Sequence, residues 1–340
     1  MNNMKKLLTV IIFLLLSLLL SSCHKKPGPT SEAGEQSIHT MNGVGFHMRL
    51  VPGGLTFPTG LLDTETAVVD GTYWIAETPV TYELWHTVYT WAVDSDRGDK
   101  KYYFAHSGRE GSHGNTGQKP TERKKEPVTG ISWHDAVVWC NALTEYYNEH
   151  NGTNWDCTYT YRRRVIRDSR FNNAVACDNA VTAKGAKGFR LPTRHEWELA
   201  ARFIGQEPPA FEPLQSEAVL IEDFYWLPGN YAAGAKGPYY DEEATMEAAW
   251  YYENTKVDGG HKTQNTGLKP VNGNWLGLYD MNGNVWEWCF NWHPAYVNSY
   301  RILCGGGWND SAGLLQAGNL GFFHPGTVFN DRGFRLARSD

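Results

Sequence analysis

Gly277-Leu278-Tyr279-Asp280-Met281-Asn282-Gly283-Asn284-Val285-Trp286-Glu287-Trp288 sets short apolar and aromatic runs between Gly and Asn. Such punctuation indicates strands and loops more than helices. The same texture extends outward in both directions, and residues 206–275 are broken repeatedly, by Pro213, Pro228, Gly229, Gly234 and Gly237. A loop-rich region of this kind packs over a small core and shapes a surface. Three segments nevertheless read as helices. Thr81-Tyr82-Glu83-Leu84-Trp85 opens the first, with Leu84, Trp85, Val88 and Ala92 on one face. Ser132 caps the second, Asp135 sits in its first turn, and Ala136, Cys140, Leu143 and Tyr147 form one stripe. Thr193 and Glu196 make a capping box for the third, with Trp197, Ala200, Ala201 and Ile204 on one face and Gly205 as its stop.

The amino terminus is a separate reading. Lys5 and Lys6 precede an apolar run from Leu7 to Leu20, shorter than the about 20 residues that cross a bilayer. Residues 1–22 therefore read as a signal peptide, and Leu20-Ser21-Ser22-Cys23 resembles a bacterial lipobox, with Cys23 as the lipidated residue. An uncleaved signal anchor is the alternative. Residues 23–40, rich in Pro, Gly and Ser, read as a flexible tether, and residues 41–340 as one domain. The expectation is an exported protein held to the cell envelope, on the outer-membrane surface, through Cys23.

The 340 residues are 41% hydrophobic and 20% charged, with net charge −6, 14 Trp, 18 Tyr and 14 Phe. A mildly acidic chain without a basic stripe argues against a nucleic-acid partner, and Arg162-Arg163-Arg164 reads as a solvated loop face. Of six cysteines, Cys23 is assigned to lipid, leaving Cys140, Cys157, Cys177, Cys289 and Cys304. Export permits disulfides, and an odd number leaves at least one thiol unpaired. Cys157 and Cys177 flank an apparent insertion and are candidates to staple its base; the pairing stays open.

Seven phrases in order now carry a resemblance. Val51-Pro52-Gly53-Gly54, Pro79-Val80-Thr81 and Pro127-Val128-Thr129-Gly130-Ile131-Ser132-Trp133 come first. Gly188-Phe189-Arg190-Leu191-Pro192-Thr193 with Glu196-Trp197-Glu198 and Ala200-Ala201-Arg202 follow. The opening stretch, Gly306-Gly307-Trp308 and Gly333-Phe334-Arg335-Leu336-Ala337 complete the set. From about residue 44 to 338 the chain resembles the formylglycine-generating enzyme (sulfatase-modifying factor) family. The resemblance implies an α+β, C-type-lectin-like fold with a small twisted antiparallel sheet and much irregular structure. It also implies a structural calcium ion at Asp280, Gly283, Val285 and Glu287, hard oxygen donors at close spacing. The plainer alternative is that Asp280 and Glu287 cap loop amides.

Oxidases of that family use two cysteines, which map here to Asp310 and Leu315. Neither replaces a thiolate, so no catalytic residue and no copper are expected. A rearranged site at Cys289 and Cys304 is the enzymatic alternative, and buried structural cysteines the simpler one. Iron chemistry of the ergothioneine-synthase kind needs a histidine triad from a further domain, which nothing in the chain matches.

A second resemblance concerns residues 308–335. Proteins diversified by retroelements carry their variable region on this fold, between a Gly-Gly-x-Trp phrase and a terminal Gly-Phe-Arg-Leu-Ala phrase. Adenine-directed mutation of AAY codons cannot produce Lys, Glu, Gln, Met or Trp, and residues 309–331 contain none of these except Gln316. The resemblance implies a ligand-binding surface made of Asp310, Ser311, Gly313, Leu314, Leu315, Leu320, Gly321, Phe322, Phe323, His324, Thr327, Val328, Phe329 and Asp331. Some of these Phe are alternatively core anchors. The expectation is a monomeric, non-catalytic surface lipoprotein whose carboxy-terminal loops bind a protein or other surface ligand. A divergent copper oxidase or other enzyme, and a scaffold subunit of an envelope complex, are the alternatives.

Overall fold

Each helix begins where a side chain satisfies an amide that the first turn leaves unpaired. The computed structural model describes residues 32–340, so the signal peptide, Cys23 and most of the tether lie outside the described residues; residues 36–40, expected in the tether, are instead part of a paired strand, Gln36–Met41, so the folded domain starts earlier than residue 41. Thr81 accepts a hydrogen bond from the Leu84 amide and opens α1 (Tyr82–Ala92). Ser132 and Asp135 form a reciprocal capping box at α2 (Trp133–Asn151), which ends on Gly152 in the left-handed conformation. Thr193 and Glu196 do the same for α3 (Arg194–Arg202). This helix stops before Gly205: residues Phe203–Gly205 leave it as a strand, so Ile204 belongs to that strand and not to the helix face. The sheet pairing of Phe203 with Trp226 takes the backbone that a further turn would need.

The strands form small sheets. In the first, β1 (Gln36–Met41), β2 (Val44–Val51) and β3 (Tyr73–Ala76) run side by side. The second contains β4 (Trp286–Trp292), β5 (Arg301–Cys304), β6 (Leu320–Phe323) and β7 (Arg332–Gly333). Its order is β6-β5-β4-β7, with β4 and β7 parallel and the other pairs antiparallel. The last strand, β8 (Ala337–Ser339), returns to pair with β3 and completes the first sheet. Short two- and three-stranded pieces account for the other strands. The expected α+β architecture with small sheets and much irregular chain is what the described residues adopt.

Two hydrophobic cores meet at the second sheet. One surrounds α1 and α2, where Trp85 stacks on Trp139 at 5.4 Å and Phe334 meets both rings edge-on. The other joins α3 to the loop region and holds Trp197, Trp226, Met281, Cys289, Ile302 and Cys304. Between them lies a buried polar joint. Arg335 donates to both carboxylate oxygens of Glu287 at 2.6 and 2.7 Å, and Trp197 Nε1 donates to Glu287 Oε2 at 2.7 Å. Arg335 also donates to the carbonyls of Ala76, Tyr279 and Asp280. The phrases Val-Trp-Glu-Trp and Gly-Phe-Arg-Leu-Ala therefore recognise each other: Phe334 and Leu336 enter the apolar core while Arg335 binds Glu287.

Candidate functional site

The segment from Gly305 to Arg332 is pinned by its backbone and by a few inward side chains. Trp308 receives three ties: its amide donates to Asn284 O, its Nε1 to Asn330 O, and its carbonyl accepts from Thr255 Oγ1. Asp310 Oδ2 accepts from Trp286 Nε1 at 2.6 Å and from the Gly307 amide at 2.8 Å. Burial raises the Asp310 carboxyl above its ordinary range, partly offset by these donors. Asp310 thus locks the turn after Trp308, although its sequence position suggests a ligand-facing residue.

Beyond it the chain alternates between surface and interior. Ser311 and Leu314 are exposed, and Gly313 is half-buried beside Tyr239. Leu315, expected on the binding surface, is fully buried against Ala249 and Tyr251. The short turn Ala312–Leu314 points Leu314 out and Leu315 in. Gln316 is buried too, its Nε2 donating to Gly313 O. The amides of Ala317 and Gly318 donate to Tyr231 O and Gly229 O. A Cβ on Gly318 would sit 2.2 Å from Gly60 O, so this backbone contact needs glycine. Residues 315–318 are scaffold, and the one residue that breaks the adenine-mutation pattern, Gln316, lies within them.

β6 forms the edge of its sheet, pairing Leu320 to Phe323 with Cys304 to Arg301. Leu320 packs partly against the second core, and Gly321 lies against the Trp286 ring. Successive strand residues face opposite ways, so Phe322 and Phe323 do not share one surface. Phe322 packs with His293, Tyr296 and Tyr300 at ring-centroid distances of 4.4, 5.3 and 5.6 Å. Phe323 meets Phe329 at 5.6 Å, and the Arg332 guanidinium lies 3.6 Å from the centre of each of these two rings. Phe322 and Phe323 are each 39% exposed, Val328 38% and Phe329 42%, so none of these Phe is a core anchor.

The return is again fixed through the backbone. Thr327 donates from its amide and hydroxyl to His324 O. Pro325 O accepts from the Trp133 amide, Phe329 O from the Gly130 amide and Asp331 O from the Trp286 amide. The Asp331 carboxylate, raised chiefly by burial, is 3.7 Å from Arg332 Nε. His324 is exposed and Thr327 half-buried. The clefts of about 550 Å³ beside Phe211, Lys236 and Trp275 and about 530 Å³ beside Tyr161, Arg164 and Asp168 are lined by none of these residues.

Sequence reading misses Arg332, His293, Tyr296 and Tyr300. Their role depends on the register of β5 with β6 and of β4 with β7. The only local signal is the position of Arg332 beside the terminal phrase.

The four expected calcium ligands do not fit the ion. Glu287 is neutralised by Arg335, both of its oxygens being engaged. Gly283 O already accepts from the Val285 amide. Asp280 Oδ2 accepts from the Gly267 amide at 2.6 Å, which is the amide-capping alternative, and Oδ1 has no hydrogen-bond partner. Burial moves the Asp280 carboxyl up to about 7. With both Glu287 oxygens held by Arg335, Asp280 Oδ1 is the one carboxylate oxygen of the set left without a partner, a poor start on the six to eight oxygens that calcium takes. Among the described residues no group of three or more His, Cys, Asp or Glu side chains is arranged to hold a metal.

All five cysteines of the described residues are free thiols and buried. Cys157 and Cys177 do not staple the insertion: their sulfurs face Asn141 O and Asp168 O. Cys289 and Cys304 lie 3.7 Å apart between β4 and β5, and burial pushes the Cys289 thiol well up. That disfavours the thiolate at Cys289, the form that binds metal and attacks substrate.

Residues 40–340 match the family described as the sulfatase-modifying factor enzyme 1-like domain. The chain is 30% identical over 234 residues to chaperone protein LppX of Paenibacillus barcinonensis, covering 66% of this chain and 74% of that protein. It is 31% identical over 168 residues to the inactive C-alpha-formylglycine-generating enzyme 2 of Mus musculus, covering 45% of this chain but 44% of that protein. The solved structure of Treponema denticola variable protein 1 superposes with a TM-score of 0.62 and 25% identity, over 90% of this chain and 99% of that one. Among the described residues no helix is long and apolar enough to cross a membrane. The chain belongs to the sulfatase-modifying factor, or formylglycine-generating enzyme, family.

Proposed function

We propose that this protein is a lipid-anchored, surface-displayed binder without catalytic activity, whose segment 309–331 is a diversified ligand-binding surface. One observation carries the reading. The segment is held by backbone bonds and buried residues, while Ser311, Leu314, Phe322, Phe323, His324, Val328 and Phe329 face solvent. Side chains at six of those positions can change without disturbing the ties that hold the loop, and at His324 a change gives up only the bond its Nδ1 accepts from the Gly326 amide. Exposed aromatics supply large contact area at little conformational cost, and a few of them dominate a protein interface. The likeness to the Treponema denticola variable protein supports the diversified reading. The likeness to a protein named as inactive supports the lack of catalysis, together with Asp310 and Leu315 at the positions of the family's cysteines.

The ligand is read as a protein, because the exposed aromatics form two shelves on either side of an edge strand rather than a cleft. The surface divides into the Phe322 shelf and the Phe323–Phe329–Arg332 shelf, so the two Phe should contribute separately. The test compares the wild-type domain with Phe322→Ala, Phe323→Ala and the double variant against surface proteins of cells the organism contacts. A partner retained by wild type, weakened by each single change and lost by the double change supports the proposal. A partner held equally by all four favours a scaffold subunit. Copper-dependent thiol oxidation by the purified domain would instead favour an oxidase.

A further inference from the structure

We infer that Cys289 and Cys304 form a disulfide in the working protein, and that this bridge pins the stem of the variable segment. The inference rests on the reading of the chain as exported. The register places Cys304 opposite Glu287. Side chains two apart share a face of a strand, so Cys289 and Cys304 point to the same side, and their sulfurs are in contact at 3.7 Å. Both are buried, in the second core, among apolar neighbours such as Ile302 and Met281. A disulfide needs a sulfur separation of about 2.05 Å; because Cys289 is diagonal to Cys304 and not opposite it, closing the 3.7 Å contact takes a small approach of the two strands as well as rotation of the side chains.

The place of the pair gives the bridge its consequence. Cys304 ends β5 and is followed by Gly305 and Gly306, both at positive φ, and then by the variable segment. Residues 289 and 304 enclose a loop that carries His293, Tyr296 and Tyr300, the rings that pack on Phe322. A bond here fixes the strand from which the diversified chain departs and the loop on which Phe322 rests. It lies outside residues 309–331, and of that segment the strand residue Leu320 pairs with Cys304.

The chemistry is thiol–disulfide exchange with an exogenous disulfide, R–S–S–R, of low molecular weight or on an oxidoreductase. One protein thiolate attacks it, forms a mixed disulfide and releases RS⁻. The second protein thiolate then attacks the mixed disulfide and releases the other RS⁻. The two cysteines lose two electrons and two protons, and R–S–S–R is reduced to two RSH. Both thiols are buried once the sheet closes, so exchange precedes the closure of β4 on β5.

The experiment alkylates the protein purified from its own envelope, in denaturant and without reductant, and maps the peptides by mass. A second sample is unfolded, refolded in mixed oxidised and reduced glutathione, and treated the same way. The expected result is a 289–304 linked peptide in both samples, with Cys140, Cys157 and Cys177 alkylated. By the loop-entropy argument the oxidised form should melt about 5 °C above the reduced form. Free Cys289 and Cys304 in the native sample, or a 157–177 link, would overturn the inference. The refolded sample then separates the premises: a bond there means the pairing is right and the compartment wrong, and no bond means the pairing itself is wrong.

Discussion

Leu314 and Leu315 are neighbours in sequence and opposites in the fold, which gives a paired test of how the variable segment is built. Leu314 is 40% exposed on the short turn, whereas Leu315 is fully buried with Ala249 and Tyr251. Leu315→Ala removes a buried isobutyl group and leaves a cavity against neighbours fixed by their own packing, at a cost of about 2–5 kcal/mol. Leu314→Ala removes a side chain already in contact with water, and should fall within about 0.5–1 kcal/mol. For a domain of this size the first corresponds to a melting shift of roughly 3–8 °C and the second to roughly 1–2 °C. Urea unfolding of both variants gives the two free energies directly, with the slope against denaturant checking that the unfolded state is unchanged. In a binding assay the order should reverse: Leu314→Ala alters affinity, and Leu315→Ala does so only by lowering the folded fraction. Equal stability losses, or a binding defect in fully folded Leu315→Ala, would refute the division of this segment into scaffold and display positions.

Arg335→Leu leaves Glu287 buried without its counter-ion and should cost about 3–5 kcal/mol in urea unfolding; added calcium should not restore it. Phe323→Ala and Phe329→Ala each strip one ring from Arg332, and double-mutant cycles with Arg332→Leu should give a coupling of about 0.5–2 kcal/mol. Asp280 gives a pH prediction. Its folded carboxyl titrates at about 7 against an ordinary 3.8, so the folded state holds the extra proton between those values. This group therefore makes the protein less stable as pH rises from about 4 to about 7, and Asp280→Asn should flatten that part of the stability–pH curve. Unfolding free energies from pH 4 to 8 for both proteins decide it, an unchanged slope counting against the assignment.

The helix starts were legible because they are local. Thr81, Ser132 with Asp135, and Thr193 with Glu196 satisfy amides within three residues of themselves. The end of α3 was not, because the partner that draws Phe203 into a strand is Trp226, far along the chain. The candidate site divides in the same way. Its limits follow from Trp308 and the terminal phrase, which bind fixed parts of the scaffold. Which side chains face outward depends on registers that no local pattern reveals in a Gly- and Asn-rich segment. Phe322 and Phe323 look like one patch in sequence and occupy two faces of β6. Asp280 and Glu287 look like a pair of calcium ligands until Arg335, 48 residues beyond Glu287, takes the second carboxylate.

The measurement that bears most directly on the central claim is sequencing of the DNA flanking this gene. The account predicts a near-copy of the codons for residues 308–335 beside a reverse-transcriptase gene. Its differences should fall at adenines in codons of exposed residues such as Leu314, Phe322, Phe323 and Phe329, and should spare Leu315 and Gln316. Flanks without such a copy, or a copy whose differences fall as often on the buried residues as on the exposed ones, would contradict it.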